Sequence, residues 1–153
     1  HLSLVILAAG SPSAAQTSTP ATAPATITVN IKNKPFTLEL ALTDAEHDRG
    51  LMYRTSMPAD HGMLFVFDKP DTYSFWMHNT LIPLDIIYLD ASGKVIDIHS
   101  RKPKDETGMG PRSPALFVVE LNGGEAKTLG LTVGDTLPLP NKYLKPTPNQ
   151  NDK

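Results

Sequence analysis

The sequence contains no cysteine. That excludes disulfides, thiolate metal sites and a cysteine nucleophile. Lys+Arg 14 against Asp+Glu 16 leaves a formal net charge of -2, so there is no global basic field for nucleic acid, and no run of Lys or Arg suits a membrane surface. Long apolar runs are also missing. "LSLVILAAG", near the start, is too short to span a bilayer, so no transmembrane segment is expected. No Gly-rich phosphate loop passes from a strand into a helix; "LNGGEAKTLG" comes nearest and lacks the Lys-Ser/Thr ending. Ser74 and Ser113 lie in no nucleophile-elbow context. His47, His61, His78 and His99 show none of the close spacings of zinc or iron sites, so neither a metal nor a cofactor is expected.

What is present divides the chain into four parts. "LSLVILAAG" followed by the small residues of "SPSAAQ" has the form of a secretory h-region and cleavage site, with a cut between Ala15 and Gln16. Residues 1–15 are therefore expected to be a signal-peptide-like segment, truncated ahead of His1, and the protein to be periplasmic or secreted. "LAAGS" has the outline of a lipobox, but Ser11 stands where the lipidated Cys belongs, so no lipid anchor is expected. Residues 16–26, rich in Thr, Pro and Ala, cannot bury enough surface to offset their ordering entropy and read as a flexible linker. Residues 27–140 are expected to form a single globular domain, monomeric, and residues 141–153 a disordered tail.

Inside that domain, "ITVNIKNKPFTLELAL" alternates on both sides of "KNK", as a β-hairpin does. Thr43 with Glu46 three residues on forms a capping box ahead of a short helix. "GMLFVFD" and "TYSFWM" read as strands. "IPLDIIYLDASGKVIDIHS" reads as a second hairpin whose turn needs Gly93 for a positive φ. Residues 102–114 read as a loop, "ALFVVEL" as a buried strand, "GGEAKTLG" as a second short helix and "VGDTLPL" as a last strand. The expected class is α+β, mostly β: a compact antiparallel-rich sheet or half-closed barrel with two short helices.

Several of these segments are familiar as a set. "RGLMYR", "MPADHGMLFVF", "FWMHNTLIPLDIIYLD", "GKVIDI", "PALFVVEL" and "LGLTVGD", in this order, resemble the bacterial and archaeal domain-of-unknown-function family 192. The resemblance implies a compact β-rich domain, often exported or lipid-anchored, and implies no activity. The family usually has Lys after "FWM". Here His78 takes that place and would carry the charge only at acidic pH.

The residues singled out for chemistry surround the same stretch. Trp76, the only Trp, shares one strand face with His78, with Asn79 just beyond. An aromatic plate with convergent polar groups is one way a pocket is built; plugging the end of the core is the other use of such a Trp. Arg49 and Arg54 flank "GLMY", and the Arg54 fork suits the carboxylate of a ligand or of Asp85. Asp85 opens an apolar strand and Glu120 closes one. The preferred reading is an exported domain binding a small polar or anionic ligand through Arg49, Arg54, Trp76, His78, Asn79, Asp85 and Glu120. The alternatives are a hydrolase or lyase using Asp85 or Glu120 with His78, and an envelope protein-interaction module.

Overall fold

The computed structural model describes residues 23–144. The signal-like segment, most of the expected linker and the end of the expected tail lie outside them. The first hairpin joins β1 (Thr26–Ile31) to β2 (Lys34–Ala41) antiparallel. Its turn residues, Lys32 and Asn33, have φ of 51° and 64°, the left-handed pair that matches the twist of the flanking strands. β1 thus begins at Thr26, the last residue of the expected linker. The capping box forms as the sequence suggests: Glu46 N donates to the Thr43 hydroxyl at 3.2 Å. It opens α1 (Asp44–Arg49).

The next strand, β3 (His61–Asp71), pairs with β2 in parallel. A parallel neighbour cannot be reached by a tight turn. Residues 42–60, α1 included, therefore cross over one face of the sheet. β3 continues antiparallel to β6 (Ala115–Asn122), and β6 to β4 (Leu84–Leu89), which closes the second hairpin with β5 (Val95–Arg101). The turn of that hairpin holds Gly93 at φ 84°. The sheet order is β1-β2-β3-β6-β4-β5, open at both edges. Of the two architectures expected, the structure is the antiparallel-rich sheet and not the barrel. Among the described residues no helix is long and apolar enough to cross a membrane.

Two expected strands do not form. "TYSFWM" makes only the isolated bridge between Phe75 and Met109, because it lies across a face of the sheet where no strand edge is free. "VGDTLPL" bridges only Lys94 with Thr136; Pro138 and Pro140 lack the N–H a ladder needs.

Both faces of the sheet are covered, which is why every residue of β4 is buried. One face gathers Phe36, Leu38, Leu64, Ile87, Val119 and Leu121 under α2 (Glu125–Leu129) and the segment after it. Tyr143 and Leu144 also pack there, so contacts reach into the expected tail. The other face gathers Met63, Phe65, Ile86, Tyr88 and Val118 under Leu51, Met77 and Ile82.

Asp85 ties the first face together. It is fully buried on β4, and it accepts hydrogen bonds from Ser100 Oγ at 2.8 Å and from Ala126 N at 2.8 Å. α2 starts at Gly124, which has no side chain to cap it, so Asp85 supplies the capping carboxylate from the sheet. Asp85→Ala leaves the buried Ala126 N–H unpaired and removes the acceptor of the more exposed Ser100 hydroxyl. We expect a loss on the order of 2–4 kcal/mol in urea unfolding, and a change below about 0.5 kcal/mol would contradict the assignment.

Candidate functional site

The site lies on the opposite face, over β6. Glu120 is in register with Met63 on β3 and Ile86 on β4. Alternation along the strand points its side chain the same way as Val118. It is 5% exposed, and its carboxyl makes no hydrogen bond or ion pair with any described residue. It borders a cleft of about 400 Å³. Burial without a partner pushes the Glu120 carboxyl up to about 8.

Two irregular segments form the walls. One is α1 with the turn after it, contributing His47, Asp48 and Arg49; the other runs from Tyr73 to Trp76. Phe65 and Phe67 of β3 line the cleft between them. The rings are interlocked: Phe67 stacks on Tyr73 at 3.7 Å, His47 lies 4.5 Å from Phe67, and Phe65 meets Phe75 edge-on at 5.2 Å. At Gly50, φ is 46° and an added Cβ would meet the Phe65 ring at 3.3 Å. Glycine there lets the end of α1 close onto β3.

The walls are fastened to each other and to the sheet. Tyr53 N donates to Asn79 O at 2.8 Å, and Asn79 Nδ2 donates to the Tyr53 hydroxyl at 2.8 Å. Both residues are left-handed, with φ of 65° and 49°. Strain at two adjoining non-glycine positions persists only where the surroundings fix it. Arg101, buried on β5, donates to the carbonyls of Phe75 at 3.0 Å and Thr107 at 2.5 Å. It holds the second wall from beneath.

Three of the residues nominated from sequence meet at this cleft: Arg49, Trp76 and Glu120. Arg49 is exposed at its edge, and its guanidinium has no hydrogen-bond or ion-pair partner among the described residues. Trp76 is 51% exposed and stacks on His78 at 4.5 Å with the rings 22° apart. The shared face expected for Trp76 and His78 is therefore present without a strand to impose it. His78 does not line the cleft; its Nδ1 lies 2.9 Å from Glu106. Asn79 serves as the clasp between the walls.

Arg54 and Asp85 are placed elsewhere. The Arg54 fork is engaged by Glu39, at 2.7 Å and 2.5 Å, and not by Asp85. Asp85 pairs in register with Leu121, one residue along from Glu120, so the two carboxylates point to opposite faces. They cannot act on one substrate, and neither partners His78. The acid–base pair of the hydrolase or lyase alternative does not form. Sequence reading missed Phe65, Phe67, Tyr73 and Thr80 as lining residues and Arg101 as the brace, since an apolar strand and a charged strand end carry no mark of what packs over them.

The fold and site define a class: an open, mostly antiparallel sheet with an aromatic-walled cleft over a buried carboxyl. Residues 25–139 match the model of domain-of-unknown-function family 192, described as Uncharacterized ACR, and the chain belongs to that family. A crystal structure of a Sinorhizobium meliloti 1021 protein, proposed to be a transcription regulator, is 40% identical, with 67% of this chain and 81% of that one covered and a TM-score of 0.66. A protein of unknown function from Novosphingobium aromaticivorans DSM 12444 is 36% identical, with 86% of this chain and 100% of that one covered and a TM-score of 0.71. No curated protein matches the chain.

Glu120 gives stability a distinctive pH dependence. In acid, both folded and unfolded chains hold its proton and it contributes no difference. As pH rises past the ordinary Glu range the unfolded chain ionises first, so the folded state loses ground until about pH 8, where folded Glu120 also ionises. Asp97 is held below the usual carboxylate range by Arg112, against the opposing effect of its burial, and titrates outside this window. Glu120→Gln should match the parent near pH 4.5 and gain on it by up to ~1.4 kcal/mol per pH unit towards pH 8. Chemical unfolding of both proteins at several pH values reads this; parallel curves would contradict it.

Proposed function

We propose that this chain is a small-ligand-binding domain of the bacterial cell envelope, which holds a polar ligand in the cleft over Glu120. The observation that carries the reading is the cleft itself. About 400 Å³ is the size of small-molecule sites. Its walls are aromatic, and two of its polar groups, Glu120 and Arg49, have no hydrogen-bond or ion-pair partner among the described residues. An unpaired buried carboxyl destabilises the fold it sits in, and a ligand that satisfies it offsets that penalty.

Export is part of the proposal and rests on the sequence: the apolar run "LSLVILAAG" ahead of small residues. Gene regulation, proposed for the Sinorhizobium relative, is not carried over to this chain. Its net charge is -2, and the helices among the described residues, of 6 and 5 residues, are too short to serve as recognition helices in a major groove.

The test uses Trp76, the sole tryptophan and a lining residue. A panel of sugars, amino acids, dipeptides and small aromatic compounds is titrated while Trp76 emission and melting temperature are followed. At least one class should give a saturable change, weakened about tenfold or more by Glu120→Gln or Arg49→Ala, which corresponds to about 1.4 kcal/mol. An unmoved emission and melting temperature across the panel would contradict the reading.

A further inference from the structure

We propose that the ligand of this cleft is a small organic cation, an amine whose ammonium group sits against the Glu120 carboxylate between aromatic rings. This deepens the binding reading and rests on it. Three independent features converge. Glu120 is 95% buried by its 5% exposure, borders the cleft and has no hydrogen-bond or ion-pair partner among the described residues. The rings of Phe65, Phe67, Tyr73, Phe75 and Trp76 line the same space; aromatic faces attract cations and offer nothing to an anion. The cleft also adjoins a second, more open depression that shares His47, Asp48, Phe67 and Tyr73 and adds Asp44, Asp68 and Lys69.

Across the two depressions, with Glu120 protonated in the empty protein, the acids Asp44, Asp48 and Asp68 outnumber the bases Arg49 and Lys69. The approach is therefore acidic, and it draws cations towards the opening. The anionic ligand expected from the two arginines loses half its support, because Arg54 is held by Glu39. Arg49 at the edge suits a carboxylate on the far end of the ligand, as in an amino acid, without requiring one.

The groups facing Glu120 define what a titration reads. α1 contributes His47, Asp48 and Arg49, the second wall contributes Tyr73, and β4 contributes Tyr88, whose hydroxyl donates to Met109 O at 3.0 Å. β3 contributes Met63, which is not ionisable. In the empty protein burial keeps the Glu120 proton on up to about pH 8. When an ammonium enters, the carboxyl gives its proton to solvent and the cation takes its place, so one proton is released for each cation bound. Affinity should then rise with pH, by roughly tenfold per unit below pH 8, and level off above it. An anionic or hydroxyl ligand would show the reverse sign or no slope.

Benzylamine, benzyl alcohol and benzoate, which share one ring and differ in the polar group, make the test. Binding to the full chain is measured between pH 6 and pH 8 by calorimetry in buffers of different ionisation heat, with Trp76 emission as a second readout. The expected result is that benzylamine binds best, tightens with pH and releases close to one proton near pH 6.5, and that Glu120→Gln abolishes both the slope and the release. Two outcomes would overturn the amine assignment alone: preference for benzoate or benzyl alcohol, or benzylamine binding that does not tighten with pH. Binding of a sugar or anion from the wider panel with no benzylamine binding would overturn it as well. Silence from all three and from the wider panel would overturn the small-ligand reading itself, and the amine assignment with it.

Discussion

Glu120 sits on β6, a strand paired on both sides, and no group among the described residues answers its carboxyl. A buried carboxylate of this kind must be paired, protonated or served by something from outside. Among the described residues no side chain pairs with it. The crossover after β2 and the excursion before β4 both lie over this face, and the Tyr53–Asn79 clasp fastens them. They bury Glu120 along with Met63 and Ile86 on either side of it, and leave beside its carboxyl the aromatic-walled cleft. The pH dependence follows from that burial.

The contrast with Asp85 shows what satisfaction looks like in the same sheet. The two carboxylates lie on adjacent strands, one register step apart and on opposite faces. Asp85 accepts from Ser100 and from the first turn of α2, so its burial stabilises the packing of helix on sheet. Glu120 accepts from no described residue, so its burial works against the fold. Evolution of a stable core alone would favour an apolar residue or a partner at that position. An unpaired, buried carboxyl at the floor of a cleft is what makes this a candidate site.

Much of the local structure was legible in the sequence because its causes are local. Thr43 and Glu46 announce α1, Gly93 announces a turn, and the apolar runs in "DIIYLD" and "LFVVEL" announce strands that the structure contains. The parallel pairing of β2 with β3 was not legible, since strand order depends on long-range packing that no short motif encodes. Of the candidate site, Trp76 and Glu120 could be nominated by residue type, as the sole Trp and as a carboxylate ending an apolar run. Their convergence could not, because it depends on which face each strand turns inward. Arg54 shows the limit most clearly. Its fork was recognisable, but Glu39, fifteen positions back on a strand that reads as apolar alternation, gave no sign that it would fill it.

The central claim is that folded, unliganded protein holds Glu120 protonated near neutrality. Carboxyl-carbon NMR on glutamate-labelled protein measures it directly, with the Glu120 resonance assigned by its loss in Glu120→Gln. A titration midpoint near 8 is expected, because burial disfavours the charged carboxylate. A midpoint in the ordinary glutamate range of about 4.3 would mean that the carboxyl is solvated or paired, and the account would be wrong.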